Sequence, residues 1–366
     1  MRLSRREAIV LAGSAAAFAV GLALLVVGVV LVAHRAQSAP LSATAPVSAG
    51  APKGANASGS ANVAGWVGGA ATVPTLTSMA TAPADVPVVE PDPAPASTKP
   101  SGPSLDAYHG LGTWVDLYDS RAWANPSAAV ADMAAHGVRT LYIETSNYHS
   151  SDAIMNPTGL AAFIDQAHAR GIRVVAWYLP DLKANSIDYA RISRAVSFTT
   201  PDGQKFDSFA LDIEATVVGS ETQRNQNLAA LSQQIRALVG PAYPLGAIIP
   251  SPVGLAKKSG YWNNFPYASL PQNYDVIVPM AYYTYHAKGA APVYADASAN
   301  MRILRAQPNC SAIPVHMIGG IAEKSSAAEV AAFVRATREG GCVGASLYGW
   351  PGTSAADWRA LQSVPQ

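Results

Sequence analysis

Asp207-Ser208-Phe209-Ala210-Leu211-Asp212-Ile213-Glu214 is the stretch on which the fold turns. Side chains alternate across a strand, so Phe209, Leu211 and Ile213 face one way and Ala210, Asp212 and Glu214 the other. A strand with an apolar outer face meets helices there, and its two carboxyl groups then point into an enclosed space. Seven similar runs flank it: Leu111 to Leu117, Val138 to Thr145, Ile172 to Leu179, Leu245 to Ile249, Tyr274 to Tyr282, Ile313 to Gly319 and Val343 to Trp350. Helical stretches separate several of them, at Ser127 to His136, Gly159 to Arg170, Arg224 to Val239, Ala297 to Gln307 and Ala327 to Glu339. Strands alternating with helices predict an α/β protein, and eight such runs predict a (β/α)₈ TIM barrel over residues 105–366.

The same alternation sets the register of the other strands. In the second run Leu141 and Ile143 look outward, leaving Thr140, Tyr142 and Glu144 inside. In the first, Trp114, Asp116 and Tyr118 are inside. Barrel enzymes work at the C-terminal ends of their strands, where the runs end in Asp116, Glu144, Trp177, Asp212, Glu214, Tyr282 and Trp350. Aromatic faces pack on the C–H surfaces of sugar rings and carboxyl groups supply acid–base chemistry, so this set predicts a carbohydrate-active site. Asp212 and Glu214 are the sharpest pair, since mutual repulsion on one strand face raises a pKa and keeps a general acid protonated near neutral pH.

The stretch from Asp207 to Glu214 resembles the Asp-x-x-Asp-x-Asp-x-Glu signature of glycoside hydrolase family eighteen, the chitinase-like barrels. Met280-Ala281-Tyr282 is similar to that family's Met-x-Tyr-Asp segment on the sixth strand, and Trp350 stands where its floor tryptophan ends the eighth. The resemblance implies Glu214 as catalytic acid, Asp212 as the residue that orients an N-acetyl group, and Tyr282, Trp350 and Met280 as substrate contacts, to which the strand register adds Trp177 and Trp114. It is degenerate at two positions. Ala210 replaces the middle Asp, and Tyr283 stands where an Asp follows the tyrosine. A second mechanism therefore stands beside the first, with Glu214 as acid and Glu144 or Asp116 as nucleophile or base; carboxyl groups roughly 5 Å apart would mean retention, about 6.5 to 9.5 Å inversion.

Other readings follow from the same residues. Asp212 and Glu214 could pair with a cation such as Arg173 in a barrel that catalyses nothing, or the chain could be a non-catalytic carbohydrate-binding barrel or a scaffold for a protein partner. His316 with Asp116, Glu144 and Asp212 has the donor types of a metal site, but a lone mid-strand histidine without metal-ligand spacing reads as an interior residue, so no metal and no cofactor are expected. Cys310 and Cys342 precede adjacent strands and are disulfide candidates in an exported domain, with two separate buried thiols as the alternative.

The amino-terminal third sets the expected location. After Arg2, Arg5 and Arg6, residues Ala8 to Ala33 carry no charge, which is long enough for one membrane-spanning helix with a cytoplasmic tip. A cleaved twin-arginine signal, giving a secreted protein, is the competing reading. Residues 1–36 are thus expected to form a single-pass anchor, and 37–104, rich in Ala, Pro and Ser, a disordered linker holding the barrel outside the cytoplasm. Residues 105–366 hold 19 Lys and Arg against 20 Asp and Glu, so the basic surface a nucleic-acid partner requires is not expected.

Overall fold

The computed structural model describes residues 102–257 and 260–365. The expected anchor and linker lie outside the described residues. No helix among the described residues is long and apolar enough to cross a membrane.

Eight parallel strands close into a barrel in sequence order: β1 (Gly110–Val115), β2 (Thr140–Asn147), β3 (Arg173–Leu179), β4 (Ser208–Asp212), β5 (Leu245–Pro250), β6 (Val276–Met280), β7 (His316–Ile321) and β8 (Gly344–Tyr348). The main outer helices are α1 (Pro126–Ala135), α2 (Pro157–His168), α3 (Asn185–Val196), α4 (Glu221–Val239), α5 (Ala290–Arg305) and α6 (Ala327–Glu339). Their starts are written in the sequence. Asn125 and Asn156 cap α1 and α2, each with proline in the first turn, and Ser326 with Glu329 forms a capping box on α6.

The predicted alternation holds around the barrel. Leu141, Ile143, Val174, Ala176, Phe209, Leu211, Ala247 and Met317 join the apolar layer between strands and helices. The opposite row fills the barrel. Trp114 stacks on Tyr142 with ring centroids 4.1 Å apart and meets Trp177 edge-on at 6.0 Å. Tyr108, just before β1, enters from below, its hydroxyl 2.7 Å from Ser208 Oγ. The interior leaves no room for a side chain at Gly246, whose Cβ would strike the Tyr108 ring, nor at Gly344, whose Cβ would strike His316 and the Tyr108 carbonyl.

Two expectations need correction here. Cys310 and Cys342 precede β7 and β8 as predicted, yet both are free and buried. Adjacent strands do not aim the thiols at each other: Cys310 Sγ faces the carbonyl of Tyr267 and Cys342 Sγ the sulfur of Met301. Trp350 does not end a strand. Hydrogen bonding in β8 stops at Tyr348, and a 3₁₀ turn (Trp350–Gly352) carries the indole outward, where its N–H donates to Asp132 on α1 at 2.8 Å and Arg121 covers its ring.

Candidate active site

Asp116, Glu144, Asp212 and Glu214 all arrive at the C-terminal mouth of the barrel, from β1, β2 and β4. Glu214 lies two residues past the end of β4, but the Ile213 amide still bonds to Ile248 of β5 at 2.8 Å, so the strand alternation carries through to it. Among the described residues, none of the four makes an ion pair. Arg173 is no partner to them. It sits at the opposite rim, its guanidinium 3.0 Å from Asp207.

Each carboxyl has a distinct setting. Asp212 is 6 % exposed and its Oδ1 is buried with no hydrogen-bond partner among the described residues. Burial first, then the charges of Glu214 and Glu144, push its pKa well above the usual carboxylate range. Burial raises Glu214 to about 7, although the residue keeps contact with solvent at the mouth. Glu144 is 2 % exposed and accepts from the Leu117 amide and the Asn147 side chain, both at 3.0 Å. Burial outweighs those two donors and lifts it to about 8. Asp116 is more open and accepts from the Tyr118 amide and the Tyr348 hydroxyl, both at 2.8 Å.

Aromatic rings line the space above. Tyr282, just past β6, meets Tyr348 edge-on at 6.0 Å and Tyr285 at 6.1 Å. Met280 ends β6 and is buried beneath them. Trp177 is buried with an indole N–H that finds no acceptor. Trp114 offers no face to the mouth: it is the plug below it, 2 % exposed, with its N–H bound to Ser346 Oγ at 2.8 Å. Tyr348 and the rim tyrosines Tyr148, Tyr261 and Tyr285 escaped sequence reading. Tyr348 was legible from strict alternation along β8, where Gly344, Ser346 and Tyr348 share a face; the others sit in loops that carry no periodic signal.

His316 belongs to the interior rather than the mouth. Its ring nitrogens meet the Tyr108 carbonyl at 2.9 Å and Ser346 Oγ at 3.1 Å, and burial lowers its pKa to about 4. No group of three metal-ligating side chains is gathered among the described residues. A cavity of about 820 Å³ lies at the other rim of the barrel, lined by Arg139, His168, Arg173 and Asp207 among others. It contains none of the four mouth carboxyls, and the strand ends that face it are where catalytic groups are not found in barrels.

The fold is a closed (β/α)₈ barrel, an architecture it shares with solved glycoside hydrolases. No protein-family model and no curated protein sequence matches the chain. Among solved structures, an endo-β-1,4-mannanase from Thermotoga petrophila is similar with a TM-score of 0.56 at 11% identity, over 70% of this chain and 76% of that one. A chitinase from Chromobacterium violaceum ATCC 12472 is similar with a TM-score of 0.51 at 13% identity, over 70% of this chain and 99% of that one. The spore cortex-lytic enzyme SleL of Bacillus megaterium gives 0.52 at 10% identity, over 73% and 76%. At such identities the likeness is one of fold.

Proposed function

We propose that the chain is a glycoside hydrolase that acts outside the cytoplasm on a polysaccharide or cell-wall glycan, with Glu214 as general acid and Asp212 assisting. The observation that carries this reading is the pair Asp212 and Glu214 at the floor of an aromatic-lined mouth with no cation among the described residues bonded to either. A carboxyl at about 7 holds its proton in roughly half the molecules at neutral pH and can deliver it to a departing glycosidic oxygen. Asp212, whose buried Oδ1 has no hydrogen-bond partner among the described residues, keeps that oxygen for a bond to the bound sugar.

Asp116 is the better partner across the mouth. It is more open to solvent than Glu144 or Asp212 and is held in place by Tyr118 N–H and Tyr348 O–H, so it can meet a sugar or a water as nucleophile or base. Glu144, buried and raised to about 8, is protonated at neutral pH and serves instead as a strut, tying the turn after β1 to β2 through the Leu117 amide. The apolar stretch from Ala8 to Ala33 supports a membrane anchor and hence an external glycan as substrate.

The test is release of reducing ends from chitin oligomers, peptidoglycan and neutral glycans by wild type and by Glu214→Gln. Turnover lost in the variant supports the glycosidase. Glycan binding that survives in both forms with turnover in neither would replace it with a sugar-binding barrel.

A further inference from the structure

We infer that the mouth is an open groove in which a glycan chain lies across the barrel and is cut internally, with sugar-binding rings on both sides of Glu214. This rests on the glycosidase reading for the cleavage step and on geometry for the groove. Six large apolar or aromatic residues are exposed in the described barrel, and three of them are tyrosines of the mouth: Tyr118 at 59%, Tyr285 at 52% and Tyr261 at 41%. Rings left in water around a polar cleft mark a binding surface.

Their places in the fold give the direction of the groove. Tyr118 follows β1 and the half-buried Tyr148 follows β2. Tyr261 lies in the connection after β5 and Tyr285 in the turn after β6. In a closed barrel of eight strands in sequence order, β1 and β2 stand opposite β5 and β6, so the rings form two banks facing each other across the mouth. Glu214, from β4, stands within electrostatic reach of both banks: burial first, and then its charge, raises the pKa of Tyr148 on one side and of Tyr261 and Tyr285 on the other.

The banks are held in place. The Asn147 side chain, itself fixed to Glu144, donates to the Tyr118 hydroxyl at 3.3 Å. The Tyr261 hydroxyl donates to the backbone carbonyl of Glu214 itself, coupling that ring to the acid. Lys324 lies over the Tyr285 ring at 5.2 Å, and half of that residue still faces solvent. A pocket that takes only a chain end needs one bank and a wall; two banks fit sugars on both sides of the cut.

The experiment uses the full-length protein and two-to-eight-unit oligomers of chitin, chitosan and mannan. Affinities are measured by calorimetry on Glu214→Gln, and cleavage patterns on wild type with oligomers tagged at the reducing end. The groove predicts affinity that grows with length beyond a disaccharide, first cuts at internal bonds, and roughly 5- to 10-fold weaker binding of the longest oligomer after either Tyr118→Ala or Tyr285→Ala. Affinity that saturates at two units, or products released from one end only, would overturn it while leaving the glycosidase standing. Length-dependent binding sensitive to both tyrosines, with no turnover, would keep the groove and remove the hydrolase. No binding and no turnover of any oligomer would overturn both.

Discussion

The two ends of one strand treat the same chemical group in opposite ways. At the start of β4, Asp207 accepts from His168 at 2.8 Å, from Arg173 at 3.0 Å and from the Val174 amide at 2.8 Å. Burial alone would raise its pKa, but those bonds outweigh burial and hold it below the ordinary value. Five and seven residues further on, Asp212 and Glu214 have no such partners and are raised. At one rim donors and a cation surround the carboxylate, whereas at the other burial, joined for Asp212 by the charges of Glu214 and Glu144, raises the carboxyls. Asp207, which ties neighbouring strands together, is supplied with donors; Asp212 and Glu214, proposed above as the acid and its assistant, are kept short of them.

Substitutions at the two ends therefore separate stability from chemistry. Asp212→Asn should cut glycan turnover by about 100-fold or more while leaving the denaturation midpoint at pH 8 unchanged or higher, because it removes a buried carboxyl whose ionisation the fold opposes. Asp207→Ala should do the reverse, costing about 2 kcal/mol in chemical denaturation, with turnover per folded molecule kept; Arg173 is half exposed, so part of the loss is screened. If both variants lost stability alike, the contrast between the rims would collapse.

The pH dependence of stability should differ in sign between the ends. For Glu144 the folded state binds a proton that the unfolded chain releases between 4.5 and about 8, so its ionisation erodes stability as pH rises through that window. Asp207 works in the other direction: its contribution is complete above its ordinary value of 3.8 and is lost as pH falls through its lower folded value. Melting temperatures of wild type should fall from pH 5 to pH 8, and Glu144→Gln should flatten that slope. An unchanged slope in the variant would show that Glu144 is ionised throughout.

The smallest effect is expected outside the mouth. Trp350→Phe removes the bond to Asp132 and should lower stability by about 1 kcal/mol with turnover unaffected. A large loss of turnover would return the indole to the substrate site that sequence reading gave it.

The case of Trp350 also shows where the sequence stops being legible. The eight runs and their register were readable because burial against helices enforces an apolar row on every strand, as at Leu141 and Ile143 or Phe209 and Leu211. The same rule placed Asp212 and Glu214 at the mouth, and put Trp114 inside the barrel. It failed at strand ends, where turns replace the two-residue period: β8 stops at Tyr348 and Trp350 swings outward, while Tyr282 lies beyond the end of β6 in a turn. Helix α3 passed unread because the apolar residues of Asn185–Val196 are interspersed with Ser186, Asp188, Arg191, Ser193 and Arg194. Loop tyrosines such as Tyr261 were invisible for the same reason: nothing periodic fixes where a loop side chain goes. The cysteines were correctly placed along the chain, but the direction of a thiol depends on neighbours such as Met301 and Tyr267 that strand adjacency does not specify.

The most direct test of the central claim compares two kinds of substrate with Glu214→Gln. A natural glycoside needs its leaving oxygen protonated, whereas a glycosyl fluoride or dinitrophenyl glycoside departs with little or no such help. The account predicts at least about 1,000-fold loss of kcat/KM on the natural linkage and a far smaller loss on the activated one, together with disappearance of the fall in activity above about pH 7. Equal losses on both substrates, or wild-type turnover of the natural linkage, would contradict the assignment of Glu214 as the acid.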